Sequence, residues 1–155
     1  MMTTIELGCG KSKHDRATGI DMDPDSDADV LSDLNDGIPI RSGAADEVIA
    51  HHSIEHLSDV GFIISEIHRI LRADGTLWVK VPYCRSFDAF ADPTHQHFFT
   101  EKTFSFFTDK FEIKNMRLRP VTTWMGKLAY VFPPCLLKRA FFDVYNEIDV
   151  KLKKR

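Results

Sequence analysis

The sequence predicts an α/β fold with a mostly parallel sheet that holds its ligand at the carboxyl ends of the strands. Three observations carry this. A short apolar run, Thr4-Ile5-Glu6-Leu7, reaches a tight Gly8-Cys9-Gly10 turn, and a second run, Gly19-Ile20-Asp21, ends on a carboxylate. A strand, an amphipathic helix and another strand then follow between residues 46 and 81. Glycines let backbone approach a ligand closely, and a carboxylate at the end of the next strand can accept hydrogen bonds from both hydroxyls of a ribose. Strand–helix–strand units cross over right-handedly almost without exception.

The first strand covers residues 3–7. The segment between Gly10 and Gly19 is too short and polar for a full crossover helix, so a loop or a single helical turn is expected, with Ala17–Asp21 as the second strand. Asp21, Asp23, Asp25, Asp27 and Asp29 alternate with other residues, as in a calcium loop. The register fails, because neither the sixth-position glycine nor the twelfth-position glutamate is present. Residues 29–31 make a minimal third strand, followed by a Gly- and Pro-containing loop over residues 35–40. Val48, Ile49 and Ala50 mark a central fourth strand over residues 46–51.

Val60, Ile63, Ile64, Ile67, Ile70 and Leu71 recur at helical spacing. Ser58 is the expected N-cap and Gly75 the expected stop. A β-rich run over residues 76–81 follows, ended by Pro82. Residues 83–99 form a loop rich in aromatics and histidines, and Thr100 can cap a short helix bearing Phe104, Phe106 and Phe107. Residues 111–119 and 146–153 read as strands that pair antiparallel at one edge, with a helix near 136–145 that can begin at Pro133-Pro134.

At 155 residues the length fits one domain, residues 1–155, with a real core. The composition, 43% hydrophobic and 28% charged, is that of a soluble globular protein. A net charge of −3 gives no general attraction to nucleic acid, and the closing Lys151, Lys153, Lys154 and Arg155 read as a solvated tail. Three cysteines without disulfide or zinc spacing point to a reducing cytoplasm. No leader pattern is present, and no apolar run nears the roughly 20 residues that span a bilayer, so no integral membrane segment is expected.

As an ordered set, Glu6-Leu7-Gly8-Cys9-Gly10, Gly19-Ile20-Asp21, Asp33-Leu34, residues 45–50 with Ile54-Glu55-His56-Leu57, and residues 71–77 resemble the class I S-adenosylmethionine-dependent methyltransferases of the type-11-like group. The resemblance covers residues 4–82. It implies a Rossmann-like, mostly parallel seven-stranded sheet with an antiparallel last strand, some flanking helices being missing here. It implies S-adenosyl-L-methionine as cofactor. Gly8, Cys9 and Gly10 would pass under its methionine part with Glu6 nearby, Asp21 and Met22 would meet the ribose, Asp33 and Leu34 the adenine, and His51 and its followers would border the methyl group. Ser12 stands where the family has a third glycine. The missing helices leave one sheet face thinly covered, which favours a homodimer or another partner. A nicotinamide dinucleotide site fits less well, because its third glycine is replaced by Lys13 and Asp21 comes well short of the spacing of about 20 residues.

His51, His52 and His56 follow the central strand, and His95 and His97 follow the fifth, so both groups should open on the same carboxyl edge. His52, His95 and His97 are the candidate catalytic residues, as bases for a protonated acceptor. Zinc needs three or four convergent ligands, which the spacing does not establish, so no metal is assigned. Tyr83, Phe87, Phe90, Phe98, Phe99 and Trp124 are candidate walls of an acceptor pocket, and residues 128–137 with Phe141 and Phe142 a candidate apolar face. The expectation is methyl transfer to a small-molecule or glycan-precursor acceptor. The alternative is a non-catalytic cofactor-binding or assembly subunit. No Asn-Pro-Pro-Tyr-type motif follows the fourth strand, which points away from DNA and protein-amide nitrogen and leaves oxygen, carbon and other nitrogen acceptors open.

Overall fold

A computed structural model describes residues 2–122, 124–140 and 142–155, the side chains at 124, 125, 128 and 138–140 excepted. The Trp124 ring, the Leu128 side chain and Phe141, expected in a pocket wall or apolar face, therefore lie outside the described residues. Seven strands run β1 (Thr4–Leu7), β2 (Ala17–Asp21), β3 (Val30–Leu31), β4 (Ala45–His51), β5 (Leu71–Pro82), β6 (Phe111–Pro120) and β7 (Tyr145–Lys154). They form one sheet in the order β3-β2-β1-β4-β5-β7-β6. The strands from β3 to β5 pair in parallel, and β7 is antiparallel to both β5 and β6. This is the Rossmann-like sheet expected, with the reversed pair at its edge.

Alternation along the strands gives the sheet two unlike faces. Leu7, Val48, Ala50, Leu77, Val79, Ile148 and Val150 are fully buried on one face. Helix α1 (Val60–Ile70) supplies Ile63, Ile64, Ile67 and Ile70 to the same core, each at most 1% exposed. Three shorter helices follow: α2 (Asp88–Ala91), α3 (Trp124–Lys127) and α4 (Pro134–Ala140). Leu137 of α4 joins the core. Among the described residues no helix is long and apolar enough to cross a membrane.

The opposite face carries Glu6, Ile49, Trp78 and Lys151 side by side in register, with His51, Lys80 and Asp149 in the next row. Loop alone joins β1 to β2 and β2 to β3. Lys151, Lys153 and Lys154, expected in a solvated tail, belong to β7 instead. Asp149 is 8% exposed, accepts from Trp78 Nε1 at 2.7 Å and is ion-paired with Arg119. Lys151 and Lys80 lie 4.3 and 4.9 Å from the Trp78 ring centre, where the π face attracts cations.

Helix α1 departs from expectation at both ends. Asp59, not Ser58, caps it, accepting from Phe62 N at 2.9 Å, while Ser58 N and Oγ both donate to Asn35 Oδ1. Nor does Gly75 stop the helix. The chain turns directly into β5 because Ile70 and Leu71 are both fully buried, and burying both requires an abrupt change from helical to extended backbone. The register slips between the pairs Ala45–Leu71 and Glu47–Thr76, and Asp74 takes the left-handed conformation in the slip. At Gly75 a side chain would meet the Arg72 and Asp46 carbonyl oxygens at 3.0 and 3.2 Å, so its role there is close packing.

The helix expected after Thr100 is a 3-10 stretch, Glu101–Phe107, closed by a reciprocal Thr100–Thr103 capping box. Phe104 points into the core while Phe106 is exposed.

Candidate functional site

The carboxyl ends of β1, β2, β3 and β4 surround a cavity of about 310 Å³, within the range of small-molecule sites. Of the residues expected there, Gly8, Gly10, Asp21, Met22, Asp33, Leu34 and His52 line it. Gly8 has φ +65° and packs so tightly under the β4 end that a β-carbon would sit 2.5 Å from Ser53 Cβ. Gly10 has φ +53°, with open space where a side chain would project.

Asp21 is aimed by its own loop. Gly10 N donates to Oδ2 at 2.8 Å and Asp23 N donates to Oδ1 at 2.9 Å, which leaves lone pairs on both oxygens for further donors. At Asp33, Oδ1 accepts from Asn35 N and Nδ2 at 2.8 and 2.9 Å. The buried Leu34 forms an apolar wall and Met22, 68% exposed, stands at the rim.

Glu6, Cys9 and His51 do not line the cavity. Glu6 is buried and receives His14 N at 2.6 Å on Oε2, with His14 Nδ1 2.7 Å from Oε1, so it ties the loop after β1 to the strand. Burial, followed by the charges of Asp21 and Glu6, pushes the Cys9 thiol up. The ring of His51 packs edge-on against Trp78 on the opposite face, centroids 4.5 Å apart, and its Nε2 is buried without a hydrogen bond. Burial first and Lys80 second lower its pKa to about 4, so this imidazole is neutral.

The candidate catalytic histidines are held differently from one another. His52, in a left-handed turn at φ +50°, places Nε2 2.8 Å from Glu147 Oε2. That bond, with Glu55 behind it, raises its pKa to about 9. His52 is therefore a cation at neutral pH and has no lone pair to accept a proton. His95 Nδ1 lies 3.0 Å from the Ala89 carbonyl oxygen, and His97 Nε2 lies 3.3 Å from that of Ser58. His95 packs on His56, centroids 4.8 Å apart.

Ser32, Ser53, His56 and Leu57 also line the cavity. Ser53 is one of the residues expected past β4, and Ser32 directly follows the end of β3, where strand position alone would have found it. His56 sits in a 3-10 turn, Ile54–His56, that no periodicity announces. Of the expected aromatic walls, Tyr83 and Phe99 belong to the core, whereas Phe87 and Phe90 border a separate hollow of about 190 Å³ with Phe142. Phe98 stacks on Phe90 at 4.7 Å.

A methyltransferase domain family matches residues 5–79. No curated protein sequence matches the chain. Among solved structures, a chain of the Haloferax volcanii complex between the Trm112 methyltransferase activator and a methyltransferase aligns at 17% identity and TM-score 0.71, covering 98% of this chain and 82% of that one. A SAM-dependent methyltransferase from Archaeoglobus fulgidus aligns at 14% identity and TM-score 0.72, covering 99% and 86%. One from Mesorhizobium loti aligns at 13% identity and TM-score 0.69, covering 98% and 90%. At these identities the structures speak for the fold, and the family match speaks for the segment that builds the cavity. Residues 5–79 thus match a methyltransferase domain, and the chain as a whole has the Rossmann-like fold of the class I S-adenosylmethionine-dependent methyltransferases.

Proposed function

We propose that the chain is an S-adenosylmethionine-dependent methyltransferase whose acceptor is a small molecule or a glycan precursor. The observation that carries this reading is the Asp21 carboxylate, fixed by two backbone donors beside a Gly8–Gly10 turn that leaves open space above it. This donor and acceptor set fits the cofactor. Asp21 takes the ribose hydroxyls, Asp33 and Leu34 hold the adenine, and the backbone at Gly8 and Gly10 admits the methionine part. When bound, S-adenosylmethionine supplies an electrophilic methyl group, and the chain's residues supply position and exclusion of water.

His52, held as a cation, suits an anionic group on the acceptor better than it suits a proton. His95 and His97 each have one ring nitrogen anchored on a backbone carbonyl and the other free for the acceptor. The test is calorimetric titration with S-adenosylmethionine, followed by transfer of labelled methyl to a panel of hydroxylated metabolites and sugar nucleotides. Micromolar binding with transfer supports the reading, and absence of binding at millimolar ligand defeats it.

A second reading, an assembly subunit that retains the fold without turnover, rests on a different observation. The face around Trp78 lacks the helices between β1 and β3 and offers a partner or a second copy a polar platform. The Haloferax volcanii neighbour comes from a complex with a methyltransferase activator. Tight cofactor binding with no transfer, alone or with such a partner, would favour this reading.

A further inference from the structure

Behind the cavity, in the turn that brings His56 to its wall, lies a carboxylate that the cofactor reading does not use. Glu55 is fully buried, and neither side-chain oxygen has a hydrogen-bond partner. The His52 cation faces Oε1 across 3.5 Å, too far for a good hydrogen bond, and nothing bonds Oε2. Burying a charge without hydrogen bonds is costly, and buried charges are normally both paired and hydrogen-bonded or bound to a metal. One ligand atom from each of Glu55, His56 and His95 lies within 4.8 Å of the others.

The hydrogen bonds around the two histidines decide which nitrogens are free. Thr94 Oγ1 has one proton and donates it to Asp92 Oδ1 at 2.6 Å. It must therefore accept from His56 Nδ1, 2.8 Å away. His95 Nδ1 faces the Ala89 carbonyl at 3.0 Å and must also donate. Both rings thus use Nδ1 as a donor, which leaves Nε2 as the nitrogen that can meet a ligand. This is the arrangement that outer hydrogen bonds impose on metal-ligating histidines.

The two segments that supply the ligands are also stapled together. Gln96 N and His97 N donate to the Glu55 carbonyl at 2.9 and 3.2 Å, and Gln96 Nε2 donates to that of His56 at 2.7 Å.

We propose that Glu55, His56 and His95 form a site for a divalent transition metal, zinc by ligand type, with open positions toward the cavity that His56 lines. Two histidines and a carboxylate are a ligand set of catalytic zinc. Ligand atoms around such an ion stand roughly 3.3–3.5 Å apart, so binding draws the three together by about an ångström. Glu55 Oε1 stays toward His52 while Oε2 faces the metal.

The site's role, which alone rests on the methyltransferase reading, is to take the acceptor's oxygen. A coordinated hydroxyl loses its proton to water at lower pH. Its oxygen lone pair then forms the carbon–oxygen bond as the methyl–sulfur bond breaks and that electron pair leaves on sulfur. The acceptor class is therefore an alcohol or phenol, with His95 as ligand.

The experiment is equilibrium dialysis of the purified full chain against Zn²⁺, with metal counted by mass spectrometry, and the visible spectrum of the Co²⁺-substituted protein. S-adenosylmethionine titration of each sample runs in parallel. One zinc per chain and a cobalt d–d band are expected. Loss of an outer partner alone costs about 10–100-fold in metal affinity, so Glu55→Gln and His95→Gln should each weaken zinc at least about 100-fold. His68→Gln, whose ring packs on Phe111 away from the cluster, should leave zinc binding unchanged.

No zinc on wild-type chain overturns the site, as does equal affinity in the Glu55 and His95 variants. A wild-type chain that binds the cofactor without zinc leaves the methyltransferase reading standing, and zinc binding without cofactor does the reverse. Glu55→Gln is nearly isosteric and removes no hydrogen bond, so a chain that remains folded but metal-free can be read directly.

Discussion

Replacing Asp21 with alanine tests the cofactor assignment at its most defined point. The carboxylate is held by Gly10 N at 2.8 Å and Asp23 N at 2.9 Å, so its direction is set before any ligand arrives. Each hydrogen bond to a charged acceptor is worth about 1.5–3 kcal/mol. Losing the pair to the ribose hydroxyls, with water partly taking their place, should cost about 3 kcal/mol, or roughly two decades of affinity. The cost to folding is smaller, about 1 kcal/mol, because solvent can reach the two amides left behind. Calorimetric titration with both S-adenosylmethionine and S-adenosylhomocysteine separates hydroxyl recognition from general charge. Both ligands carry the same ribose, but only the first carries a sulfonium cation, so the loss should be equal for the two. Asp25→Ala, which removes an exposed carboxylate of the same acidic run outside the cavity, should bind as wild type. A loss confined to the sulfonium ligand, or matched by Asp25→Ala, would refute the reasoning.

Three further outcomes are expected. Gly8→Ala places a β-carbon 2.5 Å from Ser53 Cβ at φ +65°. The left-handed conformation costs about 1–2 kcal/mol at either glycine, so the larger loss expected in urea unfolding for Gly8→Ala than for Gly10→Ala, where the space is open, reports the contact; equal losses would remove the contact argument. His51 is neutral in both folded and unfolded chains well above pH 6.5. As pH falls from 6.5 toward about 4 the unfolded chain takes up a proton that the folded chain, with His14, Lys80 and His52 nearby, resists. Stability should fall across that window by at most about 3 kcal/mol. His51→Gln should flatten that part of the pH–stability curve, and an unchanged slope would count against it. Trp78→Phe removes the donor 2.7 Å from Asp149 and should cost about 1–2 kcal/mol in chemical denaturation; wild-type stability would show Arg119 alone suffices.

The strands were legible because apolar patterning is local. Residues 17–21 were bounded from sequence as they are in the structure, and the reversed pair at the sheet edge followed from the alternation of Ile148, Val150 and Leu152. The end of α1 was not legible, because a glycine at 75 resembles a helix stop, whereas the deciding event is the burial of Leu71 against β4. At the site, Asp21, Asp33 and the two glycines were readable from their order. The positions of Glu6 and His51 were readable too, by a cue that went unused. Glu6 alternates with Ile5 and Leu7, and His51 with Val48 and Ala50, which turns both toward the opposite face. His56 was expected at the carboxyl edge with its neighbours, but the 3-10 turn and the hydrogen bond to Thr94, 38 residues away in the chain, that hold it there have no local signal.

The polar face around Trp78 has an optical consequence. The chain has two tryptophans, and this indole lies half-buried between two lysine ammonium groups and a carboxylate, on the side of the sheet away from the core. Its emission colour is therefore tuned by charges that a protein laid across that face would strip of water, whereas a small molecule entering at the strand ends would leave them wet. The fold thus carries an intrinsic fluorophore on its back, a native reporter for a companion chain.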